Sequence, residues 1–106
     1  MKPGESYSTS LLTDLYQLTM AYGYWKQGKS EQRAVFHLFY RRNPFQGGYA
    51  IAAGLEPALR LIESLRFSED DLDYLQSLTG RDGRPLFDQG FLNYLRQLRP
   101  TVDVAA

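Results

Sequence analysis

With 106 residues, the chain has room for one small domain at most. Its 43% hydrophobic and 14% aromatic content argues for a packed core and against a disordered tail. Twelve basic residues balance twelve acidic ones and there is no cysteine, so global charge recommends neither nucleic acid nor an anionic membrane as partner, and disulfide or thiolate metal sites are excluded.

Residues 1–9 read as a flexible arm, with Pro3, Gly4 and several hydroxyls. They lack the apolar stretch of a signal peptide, and no later run approaches the ~18 apolar residues of a membrane span. Both features, with the missing cysteines, fit a cytoplasmic protein. Ser10, Thr13 and Asp14 are candidate caps for a first helix that should run to about Gln27. Gly28 then stands where a left-handed residue ends a helix, beside Lys26 and Lys29, whose charges suit a helix C-terminus.

That helix, within "LLTDLYQLTMAYGYWKQG", carries more large side chains than one core face can take. At about 100° per residue, Leu11, Leu15, Leu18, Tyr22 and Trp25 form one stripe, which suffices as a core face. Leu12, Tyr16, Met20 and Tyr24 form a second stripe, a quarter turn or more away. Asp14, Gln17 and Ala21 supply the polar or small side. The second stripe has two readings. Either the helix is deeply buried, with the tyrosine hydroxyls reaching water or a carbonyl, or the stripe meets another subunit or lines a pocket.

"QRAVFHLFYRR" switches to β-branched and aromatic residues and reads as a strand over residues 33–41. Ala34, Phe36, Leu38 and Tyr40 would face one side, and Val35, His37, Phe39 and Arg41 the other. Both sides are mostly apolar, so the strand is expected to be covered twice. "NPFQGG" reads as a turn, and "YAIAAG" as a short second strand ending near Gly54. Leu55, Leu59, Leu61, Ile62 and Leu65 then repeat at helical spacing. In "FSEDDLDYLQSLTG", Ser68 and Asp71 form a capping-box pair and Gly80 is the expected stop. "RDGRP" reads as a turn. The last helix is expected over residues 86–98, with Phe87, Phe91, Tyr94, Leu95 and Leu98 inward and Pro100 ending it. The tail "TVDVAA" alternates like a strand that would continue into a sheet.

Few residues suggest chemistry. Arg41 and Arg42 close the apolar segment ahead of Gly47 and Gly48, where a guanidinium and exposed amides could bind a phosphate. The alternative is an ordinary solvated strand end and turn. "GG" is neither a Walker loop nor a dinucleotide fingerprint. His37, the lone histidine, reads as a hydrogen-bonded sheet residue rather than a catalytic base. The acidic run 68–73 suits a helix N-terminus better than a metal.

Three ordered stretches carry a family likeness: "TDLYQLTMAYGYW", then "FYRRNPFQGGYAIAAGL", then "FLNYLRQLRPTVDVAA". From Leu11 to the end, the chain resembles the N-terminal region of nicotinate phosphoribosyltransferase. That resemblance implies an α/β (α+β) fold, helix-rich with a few β-strands. Residues 10–106 would be an incomplete N-terminal α/β domain, completed by later chain and by an irregular α/β barrel that lies beyond this sequence.

It further implies joining of nicotinate to 5-phosphoribosyl-1-diphosphate, coupled to ATP with Mg, giving nicotinate mononucleotide in NAD salvage. The enzymes would be homodimers with the active site at the subunit boundary. Tyr16 would stack on nicotinate in the neighbouring subunit, supported by Thr13 and Asp14. Arg41 or Arg42 would hold a phosphate of the ribosyl donor, also in trans. No residue of this chain matches the family's phosphorylated histidine, so the 106 residues alone should be inactive and hold no cofactor or metal. Two alternatives remain: a non-catalytic truncated interaction module, and a relative that uses nicotinamide.

Overall fold

The computed structural model describes residues 9–105. The expected arm over residues 1–9 lies outside these, Thr9 excepted. Four α-helices follow in order: α1 (Leu15–Lys26), α2 (Leu55–Ser64), α3 (Glu69–Ser77) and α4 (Gln89–Gln97), with a short 3-10 turn at Pro44–Gln46.

The core is built by α3 and α4, with α1 laid against them. Leu72 and Leu75 of α3 meet Phe91, Leu92 and Leu95 of α4 and the preceding Phe87, and all six are buried. The spacings 72/75 and 91/92/95 place each set on one helical face. Leu18, Ala21, Tyr22 and Trp25 of α1 cover one side of this cluster. Phe91 has its ring 5.1 Å from Tyr22, 5.7 Å from Trp25 and 5.6 Å from Phe87. Tyr22 also meets Phe87 edge-on at 5.5 Å. Tilted and edge-to-face rings at these separations are favoured by the ring quadrupole.

Local sequence sets the helix ends. Gly28 takes the left-handed conformation (φ 73°) after α1, as its position predicts. Ser68 and Asp71 form the expected capping box: the Asp71 amide donates to Ser68 Oγ at 3.1 Å and the Ser68 amide to Asp71 Oδ2 at 2.9 Å. Two boundaries differ from expectation. α3 stops at Ser77 with Leu78 extended, and Gly80 instead donates to the Arg84 carbonyl inside the "RDGRP" turn. α4 starts only after Asp88, because the Asp88 carboxylate accepts from the Phe91 amide at 2.9 Å and fixes that residue as the cap.

The α/β architecture is overturned. The described residues contain no sheet, only an isolated antiparallel bridge between Thr79 and Pro85. Residues 33–41, 49–54 and 101–105 are not strands. Among the described residues, no backbone hydrogen bond ties residues 33–43 to another element. The physical reason is that a strand's amides and carbonyls need a partner, and neither "YAIAAG" nor the tail supplies one. The double coverage expected for residues 33–41 is absent too, since every residue there is exposed. The radius of gyration is 17.0 Å, against about 13 Å for a compact chain of 100 residues. Core and unpacked segment therefore coexist in one small chain.

Candidate functional site

The first turn of α1 carries three of the residues singled out from the sequence. Asp14 is the N-cap by backbone conformation (φ −79°, ψ 145°), yet its carboxylate makes no capping bond. Thr13 Oγ1 donates to Gln17 Oε1 at 2.7 Å, one helical turn on. Gln17 was grouped only with the polar side; the i, i+4 spacing was the available signal for this bond. Tyr16 stands between them with its side chain in solvent, and its carbonyl accepts from Thr19 Oγ1 at 3.0 Å.

The rotation of α1 separates the two stripes. Leu18, Tyr22 and Trp25 turn to the core, joined by Ala21 and by Leu11 from the preceding turn. Leu12, Tyr16, Met20 and Tyr24 remain exposed. The deeply buried helix is thus excluded for this chain, and the second stripe is bare. Leu15, assigned to the core stripe, is also half exposed. It lines an open groove of about 210 Å³ with Leu11, Thr13, Leu18, Tyr74, Leu75 and Leu78. Tyr74 is a groove residue that the sequence did not single out, because its helix was read only for its two ends.

One polar cluster fixes the azimuth of α1. Tyr22 Oη donates to Asp88 Oδ2 at 3.2 Å, and Lys26 Nζ lies 3.9 Å from the same oxygen. The Lys26 ammonium also sits 4.9 Å from the centroid of the Tyr22 ring. Tyr22 first, and Asp88 after it, raise the Lys26 pKa. With Tyr22 and Trp25 anchored inward, Tyr16 must project outward.

Arg41 and Arg42 lie on a different segment, in a bend after the bare apolar stretch, and both are exposed. Asn43 and Pro44 lead into a tight turn in which Phe45 (φ 58°) and Gln46 (φ 54°) are both left-handed. Thr13, Asp14 and Tyr16 are therefore neighbours at the start of α1, and the arginines belong to a different segment. His37 is exposed within the unpaired segment and not part of a sheet. Among the described residues, no group of three or more His, Cys, Asp or Glu is placed to hold a metal ion, and no helix is long and apolar enough to cross a membrane. The site geometry offers an outward aromatic ring and outward guanidinium groups.

Residues 11–106 match the family model described as the nicotinate phosphoribosyltransferase N-terminal domain. The chain belongs to that family. It is 41% identical to the nicotinate phosphoribosyltransferase of Caenorhabditis elegans over 106 residues, all of this chain and 19% of the relative. It is 52% identical over 73 residues to the Bacillus subtilis enzyme of that name, covering 69% of this chain and 15% of the relative. With the Homo sapiens enzyme it shares 47% over 77 residues, 73% of this chain and 14% of the relative. The chain thus spans less than a fifth of the length of these three nicotinate phosphoribosyltransferases.

Proposed function

We propose that this domain serves an enzyme that joins nicotinate to 5-phosphoribosyl-1-diphosphate, in a homodimer where it contributes to the neighbouring subunit's site. Tyr16 stacks its ring on the flat pyridine of nicotinate. Arg41 or Arg42 neutralises a phosphate of the ribosyl donor and orients it for displacement of diphosphate at the anomeric carbon by the pyridine nitrogen. Thr13 through its side chain and Asp14 through its backbone carbonyl, which accepts from the Gln17 amide, hold the first turn from which Tyr16 projects. ATP and Mg would serve the whole enzyme, and we assign their binding to residues outside this domain. We place the enzyme in the cytoplasm, in keeping with a sequence free of cysteine.

The observation that carries this reading is the outward Tyr16. It lies in a family-matched stretch, on the face of α1 turned away from the domain's own core. A ring that its own domain leaves more than half exposed is free to cover a ligand elsewhere.

The test is a chimera in which this chain replaces the matched region of the Caenorhabditis elegans relative. Formation of nicotinate mononucleotide is then measured. Tyr16→Ala is expected to raise KM for nicotinate roughly tenfold, the scale of one lost aromatic stack. Loss of the phosphate-binding arginine (Arg41→Ala or Arg42→Ala) is expected to raise KM for the ribosyl donor about 10–100-fold, the scale of a charge-assisted hydrogen bond. Wild-type constants in all three variants would reject the proposed site.

A further inference from the structure

Side chains alone join α1 to the rest of the core: among the described residues, no backbone hydrogen bond runs from it to α3 or α4. Two contacts at the first turn of α4 fix how it is rotated. Asp88 bridges the two helices with one carboxylate, its Oδ1 accepting from the Phe91 amide at 2.9 Å and its Oδ2 from the Tyr22 hydroxyl at 3.2 Å. At Gly90 the missing side chain lets the Trp25 ring lie close, and a Cβ there would stand 3.0 Å from Trp25 Cη2. A hydrogen bond has a direction and a close approach has a hard limit. Together they define an angle that non-directional apolar contacts alone would leave loose.

That angle matters at the other end of the helix. α1 is continuous from Leu15 to Lys26, so it turns as a unit. Tyr16 precedes Tyr22 by six residues, and at about 100° per residue their side chains leave the axis about 120° apart. A side-chain tip lies about 5–6 Å from the axis, so a turn of about 10° carries it by about 1 Å. Displacements of that size, made far from the chemistry, can cost an enzyme about 100-fold. With its ring largely in solvent, Tyr16 takes its place chiefly from the rotation of the helix that carries it.

We propose that Tyr22, Asp88 and Gly90 are positioning residues for nicotinate: the first turn of α4 sets the rotation of α1 and thereby aims Tyr16 at the pyridine ring. They act through Tyr16 and not by touching substrate, so the proposal rests on the stacking role given to Tyr16 above. Two substitutions disturb this seat without emptying the core. Tyr22→Phe keeps the ring that meets Phe87 and Phe91 and removes only its hydroxyl. Gly90→Ala adds a Cβ to which Trp25 must yield by a few tenths of an ångström, while alanine suits a helix better than glycine.

Both are placed in the chimera described above, alone and together with Tyr16→Ala, and steady-state constants are measured for both substrates. Each is expected to raise KM for nicotinate about threefold, part of one aromatic stack, and to leave kcat and KM for the ribosyl donor within about twofold of wild type. Neither should raise KM for nicotinate further once Tyr16 is alanine. A general loosening of the domain would instead move kcat or both KM values, or act equally with and without Tyr16, and either result overturns the proposal. Unchanged KM for nicotinate in both variants, with Tyr16→Ala still damaging, overturns it and leaves the Tyr16 site standing. Wild-type constants in Tyr16→Ala reject that site, and the positioning role with it. Should the chimera not fold, the 106-residue chain decides. Residual dipolar couplings of the α1 amides, referenced to α3 and α4, report the rotation of α1. A turn of about 10° or more is expected in Gly90→Ala, and couplings like those of the wild type overturn the proposal.

Discussion

Two apolar stretches of this chain have opposite fates. Between Phe67 and Leu98 the large hydrophobic residues find each other, and Leu72, Leu75, Phe87, Phe91, Leu92 and Leu95 are buried. Between Val35 and Ile51 they find nothing, and Val35, Phe36, Leu38, Phe39, Phe45 and Ile51 stand in solvent. The two stretches do not differ in hydrophobicity so much as in how they meet their backbone requirements. A helix satisfies its amides within itself and needs a neighbour only for one face. An extended segment needs a neighbour for its backbone as well, so it cannot be completed locally. Burial in a short chain goes first to the elements that are self-sufficient.

The sharpest way to break the contrast is to empty the centre of the packed half. Phe91 is fully buried and its ring touches Tyr22, Trp25 and Phe87. Phe91→Ala is expected to destabilise the chain by about 3–5 kcal/mol. Trp25 is the lone tryptophan and reports the loss directly in a urea titration. A change below about 1 kcal/mol would mean that α1 does not rest on α4.

Asp88 comes next. It caps α4 through the Phe91 amide and receives the Tyr22 hydroxyl. Asp88→Ala is expected to cost about 1–3 kcal/mol, from a lost cap and a lost hydrogen bond. Asp88→Asn keeps a good capping side chain and should recover most of this. If Asn is as damaging as Ala, the ion pair with Lys26 rather than the cap is the larger contribution, contrary to expectation for an exposed pair.

Self-sufficiency also decided how much was legible in advance. The capping box at Ser68 and Asp71, the left-handed Gly28 and the "RDGRP" turn are local patterns, and each formed as read. The split of α1 into a core stripe and a bare stripe followed from helical spacing, although Leu15 fell outside the core and Ala21 inside it. The strands over residues 33–41 and 49–54 did not form, because β-branched and aromatic residues describe a segment that suits a sheet without supplying one. Asp88 displaced the start of the last helix for a similar reason. Leu86 and Phe87 continue the apolar spacing, but a cap is a stronger boundary signal than periodicity. As for the site, the outward placement of Tyr16 was legible as one of two options. The exposure of Arg41 and Arg42 depended on the conformation of the unpaired segment.

The pair Glu69–Arg96 offers a smaller, pH-dependent effect within the packed half. Arg96 Nε donates to Glu69 Oε1 at 2.7 Å and Nη2 to Oε2 at 3.2 Å, joining the start of α3 to the end of α4. Hydrogen bonding from Arg96 is the main cause that lowers the Glu69 pKa. The sign follows from linkage. A carboxylate depressed in the folded state contributes stability above its unfolded value and loses it as pH falls through the folded value. The wild type should therefore lose stability more steeply than Glu69→Gln across the acid range. Parallel curves would show that solvent screens the pair completely.

The least effect is expected at α2, the one helix that belongs with the bare half. Leu55, Leu59 and Leu61 are exposed, so α2 is amphipathic without a partner for most of its apolar face. Leu55→Lys keeps helix propensity nearly constant and removes no buried contact. It should change stability by no more than about 0.5 kcal/mol, whereas Leu95→Ala in α4 should cost about 2–5 kcal/mol. The same kind of residue, on the same kind of helix, would then differ by severalfold in its effect. Should Leu55→Lys prove as damaging as Leu95→Ala, α2 is packed in solution, and the division into a completed and an uncompleted half does not describe this chain.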